Sequence, residues 1–452
     1  MLEKLFKLKQ NGTNLRTEVL AGLTTFITMA YILAVNPDIL SASGMEKSAI
    51  LFATAIASFV GCILMGFMTN YPFALAPGLG LNAYFAYTVC VGMGYSYKIA
   101  LLAVFVEGII FILLSVTGFR EALVKAVPQS LKQGISAGIG LFIVFIGFQG
   151  AKIIVKNDST LVSLVDFNSS WSTQGVCAVL ALIGLLLICF LSEKKVKGAV
   201  LIGVFATWLL GIICQLTGLL AVGGDTGLAS LIPDFSGFSL SSIGTNFGAC
   251  FDFSGMNFKW IDFIVIVFTF LYMDMFDTMG TLIGVSNDSG LLDENGTLPK
   301  AKGAFLADAI ATSVGAVFGT STTTTFVESS AGVAVGGRTG LTSITTGLMF
   351  LVSIFLYPVF IAIPSFATAP ALIYVGFLMF KSIAKIDFRN VLDFIPAVLC
   401  VAVMTLSYSI SDGIGAGIIA YALLGIITGN GKKVSPFVYA LAVAFIAKYA
   451  FL

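Results

Sequence analysis

Apolar runs of about 15–22 residues recur along the whole chain, and each is close to the length that carries a helix across a bilayer. They fall near 18–40, 48–68, 73–93, 99–117, 134–152, 173–192 and 197–217. A second set falls near 262–285, 303–319, 322–336, 341–362, 367–381, 394–409 and 413–428. That makes fourteen, seven on each side of a polar connection at 218–260. Only 10% of residues are charged, against about a quarter in an ordinary soluble domain. The chain therefore reads as an all-α polytopic membrane protein. A last run, Pro436–Leu452, lies in a C-terminal segment at 429–452 and reads as either a further span or an interfacial helix.

Basic residues orient the spans. With the N-terminus inside, eighteen Lys and Arg fall in cytoplasmic segments, among them Lys4, Arg16, Arg120, Lys125, Lys132, Lys195, Lys197 and Arg338. Five fall outside: Lys47, Lys98, Lys152, Lys156 and Lys259. The halves also resemble one another, LSEKKVKGAVLIGVFATWLLGI (191–212) aligning with LSYSISDGIGAGIIAYALLGI (406–426). Seven spans is an odd number, so the second half must sit inverted relative to the first. A 7+7 inverted repeat is a recurrent transporter architecture.

The third span of each half departs from the apolar pattern. In the first half it is YPFALAPGLGLNAYFAY (71–87), with Pro72, Pro77, Gly78 and Gly80 ahead of Asn82. In the second it is GTSTTTTFVESSAGVAVGG (319–337), with four consecutive threonines ahead of Glu328. Gly and Pro disfavour a continuous helix, and β-branched Thr prefers extended backbone. Broken backbone survives at membrane depth only where protein or a cavity satisfies its amides. Spans 3 and 10 are therefore expected to be short extended pieces leading into half-helices. Their freed N-termini would face one another as a polar receptor. Glu328 falls just inside the second half-helix, where those donors tolerate a carboxylate that would cost roughly 2.5–3.5 kcal/mol or more facing lipid.

Four further acids lie within apolar runs. Asp274 and Asp277, in FTFLYMDMFDTMGTLIGV, are three apart on one helix, with Thr278 and Thr281 beside them. Asp277 is expected to face substrate and Asp274 to serve structure. Glu107 and Asp308 read as secondary transport candidates or as helix-packing hydrogen bonders. The chain has no histidine, so any proton chemistry falls to carboxylates. An i,i+3 acidic pair has too few oxygen ligands for a hard metal, and the seven cysteines form no CxxC pair, so no metal is expected. No cofactor is expected, because GNGKK (429–433) lacks phosphate-loop spacing. With neither nucleophile constellation nor metal cluster, no catalytic residue is assigned and an enzyme is disfavoured. A net charge of +1 offers nothing to nucleic acid.

RTEVLAGLTTFITMAYILAVNPDIL, ALAPGLGLNAYFAY, FDTMGTLIGV and GTSTTTTFVESSAGVAVGGRTGLTS together resemble the AzgA-like purine nucleobase permeases, within the nucleobase–cation symporter and xanthine/uracil permease group. The likeness covers nearly the full length. It implies a core domain from 18–117 and 262–362 and a gate domain from 134–217 and 367–428, with substrate between them. By motif, Asp277, Glu328, Asn82 and Phe326 match substrate positions, and Asp277 and Glu328 are the proton-coupling candidates. Related uracil carriers have a histidine where this chain has Thr281, which throws proton coupling onto the carboxylates. The resemblance also implies a homodimer through the gate domains.

The expected function is import of a purine nucleobase with a proton across a bacterial cytoplasmic membrane. Hypoxanthine and guanine are favoured, with adenine or xanthine as alternatives. A flat base with ring N–H donors suits carboxylate acceptors and aromatic stacking. An anion carrier or channel on the same fold is the remaining alternative, disfavoured because acids rather than bases lie at mid-span.

Overall fold

The computed structural model describes residues 2–117, 128–223, 228–235, 244–254, 259–289, 291 and 298–451. Arg120, Lys125 and parts of the 218–260 connection lie outside them. The first half contains α1 (Leu2–Phe6), α2 (Leu15–Met29), α3 (Ile32–Leu40), α4 (Lys47–Thr69), β1 (Leu75–Pro77), α5 (Leu79–Ala83) and α6 (Tyr97–Thr117). It continues with α7 (Gln129–Gly150), β2 (Ile154–Asn157), β3 (Leu161–Leu164), α8 (Val176–Glu193) and α9 (Ala199–Leu216). The second half contains α10 (Trp260–Ser289), α11 (Ala301–Phe318), β4 (Thr323–Thr325), α12 (Ser329–Val335), α13 (Gly340–Ser353), α14 (Tyr357–Ile361) and α15 (Ser365–Phe380). It closes with α16 (Val391–Leu406), α17 (Ile410–Ile427) and α18 (Pro436–Phe451). Among the described residues, ten helices are long and apolar enough to cross a membrane. The protein is a multi-pass membrane protein.

Two helix groups are visible in the packing. In one, α13 lies against α2 and α4, α11 against α4 and α6, and α10 against α6. In the other, α7 lies against α15 and α16, α16 against α17, and α8 against α9 and α15. Small residues bring helices close. A Cβ on Gly340 would stand 2.2 Å from the carbonyl oxygen of Gly66, so α4 and α13 meet backbone to backbone. The buried Glu18 of α2 ties its helix to the start of α13. Its carboxylate accepts from the amides of Arg338 (2.9 Å), Thr339 (3.3 Å) and Thr342 (3.2 Å) and from the Thr342 hydroxyl (2.6 Å). An acid at a helix N-terminus also complements the helix dipole.

Both discontinuous spans contain the extended pieces. β1 and β4 pair antiparallel, Leu75 opposite Thr325 and Pro77 opposite Thr323. The pairing continues past the strands, with the Gly78 amide donating to Thr322 O (3.0 Å) and the Phe326 amide to Ala74 O (2.9 Å). Hydroxyls serve the outer edges: Ala74 N donates to Ser329 Oγ (2.9 Å), and Thr323 N to Thr312 Oγ1 (3.1 Å). The broken backbone is thus satisfied inside the protein, as a bilayer interior requires. The turn into the second piece needs Gly319, whose φ of 99° a side chain would oppose. The half-helices are unequal. α12 stops at Gly336 (φ 110°), whereas α5 runs on in π-helical geometry from Tyr84 to Gly92. The first is therefore longer than a short half-helix.

Candidate functional site

A cavity opens where the two strands give way to helices. It is lined by Tyr31, Gly78, Gly80, Asp277, Thr281, Thr325, Phe326 and Glu328, with Val375 and Met379 of α15 facing them. A neighbouring cavity of about 190 Å³ shares Gly80, Asp277, Thr281 and Met379 and extends along α7 past Lys132, Ser136 and Ile139. Gly80 and Gly78 contribute no side chain to the cavity wall. A Cβ on Gly80 would come within 2.8 Å of Ile139.

Asp277 and Glu328, 51 positions apart by their numbers, meet in this one cavity. Asp277 is exposed to it and Glu328 partly so. Glu328 stands at the N-cap of α12, one residue ahead of the helix rather than inside it. Its one side-chain hydrogen bond among the described residues comes from the Tyr31 hydroxyl, 2.7 Å from Oε1. Tyr31 sits where span 1 breaks between α2 and α3. Nothing in its apolar surroundings, FITMAYILAV, marks it as functional, and its partner lies 297 residues away. Phe326 is 7% exposed and presents its ring beside the two acids. Thr325 is buried in the same wall, and its hydroxyl has no partner among the described residues.

The other sequence candidates are elsewhere. Asn82 is fully buried behind the wall and does not line the cavity. Its carbonyl oxygen accepts from the Ser321 hydroxyl, and its amide nitrogen has no partner among the described residues. Asp274, Asp308 and Glu107 are each fully buried. They converge on the threonines of the second broken span. The Thr278 hydroxyl stands 2.5 Å from Asp308 Oδ2, 3.3 Å from Asp274 Oδ1 and 2.8 Å from Thr324 Oγ1. Thr322 donates to Glu107 Oε2 at 3.3 Å. Successive residues turn about 100° around a helix, so α10 sends Asp277 into the cavity and Thr278 into this sealed network.

Lys132, counted in the sequence with the cytoplasmic connections, lies in the first turn of α7 and lines the neighbouring cavity with Asp277. Pro128 at the N-cap starts α7 at Gln129, five residues before the apolar run. Among the described residues, no group of three or more His, Cys, Asp or Glu is arranged to hold a metal ion.

Glu328 also borders a vestibule of about 970 Å³, rimmed by Lys195, Lys197, Arg338 and Tyr374. Asp38 of α3 accepts from Ser365 (2.9 Å) and Thr368 (2.9 Å) of α15 and pairs with Lys47 at 2.8 Å. Tyr87 packs edge-on against Tyr408 with ring centroids 5.8 Å apart. These contacts tie α3 and the π-helical continuation of α5 to α15 and the junction of α16 with α17.

Residues 16–434 match the xanthine/uracil permease profile, described as "Permease family". The chain is 43% identical over 451 residues to the putative permease MJ0326 of Methanocaldococcus jannaschii, spanning 100% of this chain and 98% of that one. It is 43% identical over 445 residues to the guanine/hypoxanthine permease PbuO of Bacillus subtilis, spanning 98% of each. It is 40% identical over 455 residues to the adenine permease AdeP of Escherichia coli, spanning 100% of this chain and 96% of that one. The fold is shared with the transmembrane domain of the cyanobacterial bicarbonate transporter BicA (TM-score 0.59, 16% identity, 90% of this chain and 97% of that one). It is shared also with murine Slc26a9 in its inward-facing state (TM-score 0.62, 11% identity, 92% and 69%).

Proposed function

The chain belongs to the permease family that includes these nucleobase carriers, and from that premise we propose that it imports a purine nucleobase by proton symport, with guanine and hypoxanthine favoured. The observation that carries this reading is the meeting of Asp277 and Glu328 in one cavity beside Phe326, Thr281 and the strand-to-helix backbone. A planar base presents N–H donors to carboxylates, ring acceptors and carbonyls to backbone amides, and its faces to an aromatic ring. The two acids also carry the coupled proton; no resident cofactor takes part.

The helices of 18–117 and 262–362 form a core that carries the base, and those of 134–217 and 367–428 form a gate. The fourteen spans make a 7+7 inverted repeat, and α9 and α17 are repeat mates, each entered after a residue in the left-handed region (Lys195, φ 55°; Tyr408, φ 57°). Core slides against gate like an elevator. The vestibule with Lys195, Lys197 and Arg338 is the cytoplasmic mouth by its basic rim, and the Asp38 contacts with Ser365 and Thr368 shut the outer side. The protein works in the cytoplasmic membrane of a bacterial cell, N-terminus inside, as a homodimer through its gates.

The test is uptake of labelled hypoxanthine in cells lacking purine transport, competed by unlabelled guanine, adenine, xanthine and uracil, with and without a protonophore. Competition by guanine and hypoxanthine together with protonophore sensitivity is the expected result. Competition by adenine alone moves the chain to an adenine preference, a reading favoured by its 40% identity to AdeP. No purine uptake, with chloride or sulfate flux in proteoliposomes, replaces the proposal with an anion carrier.

A further inference from the structure

We propose that Tyr31 is a positioning residue for purine recognition: its hydroxyl claims Oε1 of Glu328 and leaves Oε2 as the atom that meets the base and exchanges the proton. The inference rests on the nucleobase reading above.

Three observations support it. The Tyr31 hydroxyl lies 2.7 Å from Oε1 and is the one side-chain hydrogen bond that Glu328 receives among the described residues. Tyr31 is 1% exposed, so its ring is held by packing and its hydroxyl is aimed rather than free to swing. Both residues line the substrate cavity, and Glu328 alone of the two also borders the vestibule.

The chemistry follows from the donor inventory. A phenol hydroxyl that donates to Oε1 requires that oxygen to act as an acceptor. A proton taken up by Glu328 then goes to Oε2. In the ionised form Oε2 accepts from a ring N–H of the base; in the protonated form the same atom donates to a ring nitrogen. Protonation therefore changes what the base meets at one defined atom. Without Tyr31 the carboxyl can turn and hold its proton on either oxygen, so base and proton are no longer read at the same place.

The experiment compares wild type, Tyr31→Phe and Tyr31→His in full-length protein reconstituted into proteoliposomes, with labelled hypoxanthine. Two quantities are read: the accumulation ratio under an imposed pH gradient, and hypoxanthine exchange at equal pH on both sides. For Tyr31→Phe the expected result is a rise in KM of about tenfold, the scale of one charge-assisted hydrogen bond. Accumulation is expected to fall toward unity while exchange at saturating hypoxanthine stays within about threefold of wild type. Tyr31→His, which keeps a ring N–H donor, is expected to recover part of both losses. In a Glu328→Gln background, Tyr31→Phe is expected to raise KM no further.

Wild-type KM and accumulation in Tyr31→Phe overturn the inference and leave the nucleobase reading standing. Equal loss of exchange and accumulation in both variants, at wild-type abundance, also overturns it, because that is the pattern of a merely structural residue. If the wild type itself carries no purine, the underlying reading fails first. Should Tyr31→Phe not reach the membrane, Tyr31→His decides by the same two readouts.

Discussion

Asp277 and Asp274 are three residues apart on one helix, yet they belong to different environments. Asp277 opens into the cavity with Glu328, Phe326 and Thr281. Asp274 is sealed with Asp308 and Glu107 around threonine hydroxyls. The cavity acids border open space, and Glu328 accepts one side-chain hydrogen bond among the described residues. The sealed acids hold together α6, α10, α11 and the second broken span. An acidic residue in a membrane helix can therefore face a cavity or fasten helices together, and the side of the helix it occupies decides which.

The largest effect that separates the two sets is on transport. Glu328→Gln and Asp277→Asn are each expected to lower hypoxanthine uptake by about 100-fold at near-normal abundance, since each removes a charge-assisted acceptor from the base. Uptake assays normalised to membrane abundance check this, and normal concentrative uptake in both variants breaks the distinction. The next largest effect is on folding. Asp308→Ala leaves the Thr278 hydroxyl without its 2.5 Å acceptor, a loss of about 1–3 kcal/mol for a buried polar group. Abundance and melting temperature in detergent are expected to drop, whereas Asp308→Asn, which keeps an acceptor, is expected to recover most of both. If Asp308→Ala instead folds normally but no longer accumulates purine, the sealed acids belong to the transport machinery.

Smaller changes sharpen the boundary. Phe326→Ala is expected to raise KM for every purine about five- to tenfold with little change in relative preference, the scale of one aromatic contact. A change in preference instead would make the ring a selector. The smallest effect is expected for Thr278→Val, which removes the hydroxyl between Asp308 and Thr324. Melting should fall by a few degrees while the hypoxanthine KM moves less than threefold. A larger KM change would mean that the two environments communicate through this hydroxyl.

Much of the scaffold was legible because its causes are local. Run length marks helices of membrane-spanning size, and the Pro, Gly and Thr content of the two peculiar spans announces extended backbone, which appears as β1 and β4. Asp277 and Glu328 were legible as carboxylates where a membrane disfavours them. What could not be read were relations between distant segments. Tyr31 looks like one more apolar-run aromatic until its hydroxyl is seen on Glu328. Glu18 sits close to the first span boundary, where an acid looks unremarkable, yet it caps a helix more than 300 residues later. That the Asn82 side chain meets Ser321 rather than the cavity was likewise a relation between distant segments. That Lys132 lines a cavity with Asp277 was not legible either, because run length ignores the helical turn that Pro128 begins ahead of the apolar stretch.

The pairing of β1 with β4 has a consequence for how this protein is made. Residues 75–77 leave the ribosome some 250 positions before residues 323–325, and until the later ones arrive the amides of the earlier strand lack their partners. A nascent chain truncated before Thr323 can hold neither the ribbon nor the cavity beside it. That cavity is thus completed late in synthesis, and the unfinished first half must be sheltered by the insertion machinery or by neighbouring helices while it waits.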